Sequence, residues 1–232
     1  MGRMRTLTAV GHRGDPYRVR ENTLASIRSA FARGADAVEI DVRLTRDGTA
    51  VLLHDDTLQR LWGHDVRIDA VTAPQLKELT EGGVPTLREA LMAAGAGRVM
   101  IDLPGATHEA VRTVVGQVRE CGARERAYYC AGPNSMLAVR AADPGAEIAL
   151  TWTTLSPPRR VLIDAVAPTW LNYRFGLVSR ELVDAVHRDG LRVSAWTPDT
   201  KRAMRALVAA GVDSVTTNRV DALTAVRAEY GR

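Results

Sequence analysis

The feature that most constrains this chain is a regular alternation of short β-branched runs with amphipathic helical stretches. Nine runs are strand candidates: Thr6–Val10, Ala37–Val42, Ala50–Leu53, Arg98–Leu103, Ala127–Ala131, Glu147–Trp152, Val166–Leu171, Leu191–Trp196 and Ser214–Thr217. Helical periodicity marks the stretches Thr23–Arg33, Leu87–Ala94, Glu109–Glu120, Glu181–Arg188 and Lys201–Ala210. Glycine stands where these helices are expected to end, at positions 34, 95, 122, 190 and 211. Such alternation predicts a parallel sheet with helices packed outside it.

About eight strand–helix units in 232 residues predict an α/β fold, a single (β/α)8 TIM barrel of small size. A doubly wound open sheet is the alternative. One of the nine strand candidates must then be spurious or lie outside the barrel. The link from Val42 to Thr49 is too short for a helical crossover, so the helix between strands 2 and 3 is expected to be missing or the pair irregular. We expect one domain over residues 1–232, with a small insertion at about 63–83.

Composition excludes several classes of protein. Hydrophobic residues make up 46% and charged residues 25%, as in ordinary globular proteins and unlike disordered ones. The net charge of +4 is spread along the chain, so we expect no nucleic-acid partner, whereas a small anionic substrate would be compatible. No apolar run approaches the ~18 residues of a membrane span, and the first ten residues lack the apolar part of a secretory signal. Two cysteines, Cys121 and Cys130, are expected to be partly buried thiols, and we expect a cytoplasmic location.

Polar residues collect where the predicted strands end. His12 and Arg13 end the first strand, His54 follows the third, Asp102 lies at the end of the fourth and Trp196 closes a late strand. In a parallel barrel the carboxyl ends of all strands converge on one mouth, where catalytic groups gather. These side chains are therefore expected to lie around one cavity.

Two carboxylates share one face of the second predicted strand. Residues i and i+2 of a strand point to the same side, so Glu39 and Asp41 lie on one face and their apolar neighbours on the other. If the apolar face meets the helices, the carboxylates point into the barrel mouth and need a compensating cation. With Asp102 at an equivalent depth, the pattern favours one divalent cation with oxygen ligands, Mg2+ or Ca2+. The alternative is an antiparallel strand with a solvated polar face.

Two histidines lie at predicted strand ends, on either side of this carboxylate group. His12 and His54 could serve as general acid and general base, although each taken alone could be a hydrogen-bonding loop residue. Arg13 offers a forked donor for a phosphate oxygen, or it forms a surface ion pair. The other histidines are expected to be structural or surface residues: His64, His108 and His187.

The same residues fall into an ordered set of motifs that spans most of the chain. The motifs are His12-Arg13-Gly14, Glu21-Asn22-Thr23, Glu39-Ile40-Asp41, Thr45-Arg46-Asp47-Gly48, Val51-Leu52-Leu53-His54-Asp55, Val84-Pro85-Thr86-Leu87, Trp196-Thr197 and Gly211-Val212-Asp213 followed by Thr217. In order and spacing this set resembles the glycerophosphodiester phosphodiesterase family. A single tripeptide is weak evidence, whereas the ordered set is strong.

The resemblance implies a TIM barrel that binds one divalent cation and hydrolyses glycerophosphodiesters to glycerol 3-phosphate and an alcohol, a reaction of lipid metabolism. It implies roles for particular residues: His12 and His54 as the acid–base pair, Glu39 and Asp41 as metal ligands, Arg13 as a phosphate contact and Trp196 as an aromatic lining of the substrate pocket. Asn22 belongs to the Glu-Asn-Thr motif, and it could equally cap the helix that begins near Thr23.

Three positions depart from the family pattern. Where the family carries Glu-x-Lys, this chain has Asp102-Leu103-Pro104, and the family's Thr-Asp pair reads Thr217-Asn218. Proline cannot supply the charge of the lysine, for which Arg13 or Arg174 could substitute. The departures leave open a different phosphate-ester substrate, formation of a cyclic phosphate on the same scaffold, or a non-catalytic binding protein.

Overall fold

The computed structural model describes residues 7–230, which form nine strands and ten helices. The strands are β1 (Thr8–Gly11), β2 (Ala37–Leu44), β3 (Ala50–Leu52), β4 (Arg98–Asp102), β5 (Ala127–Ala131), β6 (Ile148–Trp152), β7 (Trp170–Arg174), β8 (Arg192–Trp196) and β9 (Ser214–Thr217). The helices are α1 (Leu24–Ala32), α2 (Gln59–Trp62), α3 (Ala73–Leu79), α4 (Leu87–Ala93), α5 (His108–Glu120), α6 (Pro133–Ala142), α7 (Arg160–Val166), α8 (Arg180–Arg188), α9 (Lys201–Ala210) and α10 (Val220–Tyr230).

Eight of the strands close into a parallel barrel. The sheet order is β1-β9-β8-β7-β6-β5-β4-β2-β3, and an additional pairing of β1 with β2 closes the ring. The strand outside the barrel is β3, which pairs antiparallel with the carboxyl-terminal end of β2. The predicted (β/α)8 barrel is therefore confirmed, and a β-hairpin replaces the helix between the second and third strands.

The segment predicted as an insertion contains a short 3-10 turn, Ile68–Ala70, and helix α3. Its apolar side chains pack with those around β3 in a small cluster that includes Leu53, Ile68 and Leu76. This cluster covers the loops that leave β3 and so supports the segment that carries His54.

One predicted strand was wrong. Val166 is the last residue of α7 rather than the first residue of a strand, and the strand lies at Trp170–Arg174 instead. A short apolar run is compatible with either structure, because periodicity alone does not separate a buried helix end from a buried strand. Helices α2, α3, α6, α7 and α10 were also absent from the prediction.

The direction in which β2 presents its side chains decides where the site can form. Val38, Ile40 and Val42 pack outward in the large core between sheet and helices. Glu39 and Asp41, which alternate with them, therefore point inward. The barrel interior toward the other end is filled by Val10, Ala37, Met100, Tyr128, Cys130, Ala149 and Trp170. A packed floor beneath the mouth leaves the carboxylates facing a cavity that opens at the carboxyl ends of the strands.

Within residues 7–230, no helix has both the length and the apolar character needed to cross a membrane. The longest, α5, has 13 residues.

Candidate active site

A cavity of about 260 Å3 lies at the barrel mouth. It is lined by all seven residues that the sequence marked as site residues: His12, Arg13, Glu39, Asp41, His54, Asp102 and Trp196. They come from the segment after β1, from the middle of β2, from the ends of β4 and β8 and from the loop after β3, as expected for parallel strands that converge on one mouth.

Three carboxylates form an acidic cluster on one side of the cavity. One oxygen each of Glu39, Asp41 and Asp102 lie within 4.8 Å of one another. Burial and the charges of the other two carboxylates raise the pKa of Glu39 well above its usual range. Burial and the charge of Asp41 raise the pKa of Asp102 to about 7. Among residues 7–230, Arg13 is the one lysine or arginine that lines this cavity, so the cluster has a surplus of negative charge.

Two contacts from the segment after β1 orient the acidic cluster. The backbone N–H of Arg13 donates to Glu39 Oε2 at 2.8 Å. Asn22 Nδ2 donates to Asp41 Oδ2 at 2.8 Å, and its Oδ1 accepts from the Asp41 N–H at 3.2 Å. The interpretation of Asn22 as a helix cap is wrong, because Thr23 is the residue whose side chain accepts from the first turn of α1. Asn22 is buried and instead fixes a carboxylate of the cluster.

The turn that aims Arg13 depends on Gly14. Both residues have positive φ, 53° at Arg13 and 89° at Gly14. A Cβ at position 14 would lie 2.3 Å from Ser26 Oγ and 2.6 Å from the Ser26 carbonyl carbon. Only glycine combines that backbone conformation with that close approach to α1.

The guanidinium of Arg13 is held between two carboxylates. Its Nη1 donates to Glu21 Oε1 at 2.8 Å, and its Nε lies 3.2 Å from Asp41 Oδ2 without the alignment of a hydrogen bond. Glu21 also accepts from Arg60 at 2.6 Å. Arg13 is thus part of the cavity wall and not a surface ion pair.

His12 is oriented by a chain of two hydrogen bonds. Its Nδ1 lies 2.8 Å from Asn218 Oδ1, and Asn218 Nδ2 donates to Asp199 Oδ2 at 2.8 Å. Because Asp199 can accept only, the Asn218 amide nitrogen faces it and the Asn218 oxygen faces the ring. The His12 Nδ1 therefore carries the proton, and Nε2 is left to face Glu39 Oε2 at 3.8 Å. Burial, and then the positive charge of Arg13, lower the pKa of His12.

His54 has a carboxylate where His12 has an amide. Its Nδ1 lies 2.7 Å from Asp55 Oδ1, and Asp55 Oδ2 accepts from Arg60 Nε at 2.6 Å. The backbone of His54 is held as well, because its carbonyl accepts from Arg43 Nε and Nη2 at 2.9 and 2.6 Å. Both ring Nδ1 atoms are thus engaged, and both Nε2 atoms remain for chemistry.

The remaining sequence candidates lie outside this group. Arg174 is exposed at the end of β7 and does not line the cavity, so it does not take the place of the missing lysine. His187 was expected to be a structural or surface residue, and its Nε2 lies 2.7 Å from Asp213 Oδ2, which also accepts from the Val193 N–H. That pair ties α8 to β9 and serves the fold.

Several lining residues were missed by sequence reasoning. Cys130, Thr151, Asn172 and Thr216 face the cavity from β5, β6, β7 and β9. Cys130 hydrogen-bonds to Asp102. Three of the four lie in predicted strands, so the signal available was a polar residue near the carboxyl end of each strand. Asn172 fell outside the misplaced seventh strand.

Comparison with known proteins agrees with this geometry. The sequence profile of the Glycerophosphoryl diester phosphodiesterase family matches residues 12–222. The chain belongs to this family. Its members are phosphoric diester hydrolases, and the chain is therefore an enzyme of that class.

Individual relatives extend over nearly the whole chain. A glycerophosphodiester phosphodiesterase of Caldanaerobacter subterraneus is 27% identical, over 95% of this chain and 97% of that protein. A probable glycerophosphodiester phosphodiesterase 2 of Mycobacterium tuberculosis is 29% identical, over 93% and 88%. A phosphodiesterase of Oleispira antarctica, crystallised with the product sn-glycerol-3-phosphate, superposes with a TM-score of 0.88 at 21% identity, covering 94% and 96% of the two chains. At 21% identity, the similarity to the Oleispira antarctica structure shows a shared fold.

Proposed function

We propose that this enzyme hydrolyses glycerophosphodiesters to glycerol 3-phosphate and an alcohol, with one divalent cation and two histidines. The observation that carries the proposal is the placement of His12, His54 and the acidic cluster around one cavity. Family membership and the glycerol 3-phosphate bound by the Oleispira antarctica protein support the substrate class.

The residues of the acidic cluster suit a hard cation. Three buried or partly buried carboxylates face one arginine, and burial together with the charge of the neighbouring carboxylates raises the pKa values of Glu39 and Asp102. Glu39, Asp41 and Asp102 would hold Mg2+ or Ca2+, both of which prefer oxygen ligands. When bound, such an ion neutralises charge on the nonbridging oxygens of the phosphate.

The two histidines are suited to different halves of the reaction. His12 has a neutral Nε2 and a lowered pKa, so it would accept the proton of the attacking oxygen, which belongs either to water or to the substrate's own glycerol hydroxyl. The Asp55 carboxylate orients the ring of His54 from its Nδ1 side, and the ring would give a proton to the leaving alkoxide through Nε2. Arg13, anchored by Glu21, would add a positive charge beside the phosphate.

The direct test measures turnover of a panel of glycerophosphodiesters with Mg2+, with Ca2+ and with a chelator. We expect turnover with a cation and its loss with chelator. Phosphorus NMR of the product separates hydrolysis from ring closure, because a cyclic phosphate has its own resonance. Absence of turnover on the whole panel with both cations would refute the proposal.

A further inference from the structure

A second cavity, of about 240 Å3, lies beside the candidate active site. Its apolar lining comes from the carboxyl-terminal end of β2, from the segment after β4 and from the first turns of α5: Val42, Leu44, Leu103, Ala106, Ala110 and Val114. Val42 packs outward from the barrel, so this cavity lies outside the ring of strands. Pro104 lines both cavities, which therefore adjoin at this residue. We call the second cavity the side cavity.

The charged groups that line the side cavity are paired with one another. Arg43 Nη1 lies 2.6 Å from Asp56 Oδ1. Arg67 lies 2.7 Å from Asp69 and 3.8 Å from Asp56. Two arginines and two aspartates leave the lining without a net formal charge. The side cavity thus lacks the surplus of positive charge that would hold a phosphate group.

The polar atoms of the side cavity do not call for a polar ligand. Among residues 7–230, the buried side-chain nitrogens and oxygens that lack a hydrogen-bond partner all belong to residues outside its lining. The Thr107 hydroxyl, which belongs to the lining, accepts from the Ala110 N–H at 3.1 Å. A site for a polar ligand directs a few polar groups at that ligand. The side cavity instead offers apolar surface, which favours an apolar group through the hydrophobic effect.

The side cavity adjoins the segment that carries His54. Arg43, which lines the side cavity, donates from Nε and Nη2 to the His54 carbonyl at 2.9 and 2.6 Å. His54 is the residue proposed above to protonate the leaving alkoxide, so the alcohol half of a bound diester lies on this side of the active site. Pro104 has no charge, and a chain attached to the leaving oxygen can cross it into the side cavity without displacing a charged group.

On the basis of the hydrolysis proposed above, we infer that the side cavity binds an unbranched alkyl chain of the substrate's alcohol half. The phosphate would lie at the acidic cluster, the leaving oxygen beside His54 and the chain over Pro104. The inference gives the enzyme a preference among glycerophosphodiesters, for those whose alcohol is apolar and longer than methanol.

Three diesters of one series provide the test: glyceryl methyl phosphate, glyceryl propyl phosphate and glyceryl hexyl phosphate. We expect kcat/KM to rise about fourfold for each methylene group that enters the side cavity, and at least about tenfold from the first diester to the last. The three alcohols differ little in acidity, so the comparison reports binding of the chain. Equal kcat/KM on all three diesters, or a decrease with chain length, would overturn the inference.

A pair of variants assigns the preference to the side cavity. Ala110→Leu fills part of the side cavity and should lower the ratio of hexyl to methyl turnover by about tenfold. Ala203→Leu is the matched control, because both alanines are partly buried third residues of a helix whose N–H donates to the capping threonine. Ala203 lines neither cavity, so the control should keep the wild-type ratio. An unchanged ratio in Ala110→Leu, or the same loss in Ala203→Leu, would contradict the assignment.

Calorimetry on the wild-type enzyme with Mg2+ requires neither turnover nor a variant. We expect hexyl phosphate to bind at least about tenfold more tightly than methyl phosphate. Equal affinities would refute the side cavity as a binding site. Absent turnover of the diesters together with this preference would refute the hydrolysis and keep the side cavity.

Discussion

At the scale of single residues, the two histidines differ in what lies behind the ring. His12 faces the neutral Asn218, which is itself turned by Asp199, whereas His54 faces the carboxylate of Asp55. The departure of Asn218 from the family's aspartate thus has a consequence in this structure. It leaves His12 without a directly bonded negative charge, which agrees with its lowered pKa.

Alanine at His12 or at His54 should lower kcat by about 10²-fold, because general acid–base steps contribute that much. Steady-state kinetics with saturating cation would measure it, and circular dichroism would verify the fold. His64→Ala and His108→Ala are the controls and should stay near wild type, since neither residue lines the cavity. Similar losses in all four variants would contradict the assignment.

A double variant that carries both Asn218→Asp and Asp199→Asn should raise the pKa of His12, because a carboxylate then accepts a hydrogen bond directly from the ring. A raised pKa keeps His12 protonated to higher pH, so the acid limb of kcat/KM should move upward by about one pH unit. NMR titration of the His12 ring would measure the shift. An unchanged titration would mean that Asn218 does not govern the proton on His12.

At the scale of secondary-structure elements, much of the fold could be predicted because one face of each strand or helix packs in the core and is apolar. The spacing of apolar residues along the sequence therefore indicates the type of element and its buried face. The alternation in β2 located Glu39 and Asp41 correctly, since one face had to be apolar. Contacts between elements distant in sequence could not be predicted. Asn22 and Asn218 meet their partners through the packing of loops, and no local pattern records that packing.

The β1–α1 turn gives a prediction on stability. Gly14→Ala should lower the free energy of unfolding by about 2 kcal/mol or more, because strain at positive φ adds to the clash with Ser26. Gly122→Ala is the matched control. It also has positive φ, 62°, but a Cβ there would have no atom within 4 Å, so about 1 kcal/mol is expected. Urea denaturation would measure both, and equal costs would show that the approach to α1 is unimportant.

The exit of β4 gives a prediction on activity. Pro104 is exposed and lines the cavity, so a lysine there could reach a phosphate. Pro104→Lys combined with Asp102→Glu should raise kcat/KM on glycerophosphodiesters by about tenfold, as expected for one charge-assisted hydrogen bond. Pro104→Met with Asp102→Glu controls for loss of the proline ring. If both double variants behave alike, the added charge has no role.

At the scale of the whole molecule, the acidic cluster couples cation binding to stability. Because their pKa values are raised, Glu39 and Asp102 bind more protons in the folded, cation-free protein than in the unfolded chain. The contribution of these two carboxyl groups to the free energy of unfolding should therefore fall as the pH rises from about 4, the usual carboxylate value, through about 7, the value for Asp102. A bound cation should reverse this loss.

We accordingly expect Mg2+ or Ca2+ to raise the unfolding temperature more at pH 8 than at pH 6, because Asp102 must lose its proton before it can act as a ligand. At a cation concentration of 100 times its dissociation constant, the free energy of unfolding should rise by about 2.7 kcal/mol. Glu39→Gln should abolish most of the stabilisation by the cation, whereas Glu109→Gln, a change at an exposed residue, should leave it unchanged. Calorimetric melting with and without cation measures these effects, and a pH-independent gain would contradict the coupling.

The hydrogen bond between His12 and Asn218 joins residues that are 206 positions apart. Because a ribosome makes the amino end first, His12 leaves the exit tunnel long before its partner has been translated. The His12 ring gains this orientation only when β9 pairs with β1 and closes the barrel. A nascent chain that has already formed β2 and its carboxylates therefore still lacks an oriented His12 ring, and on the proposed mechanism it becomes active only after β9 has been made and has paired with β1.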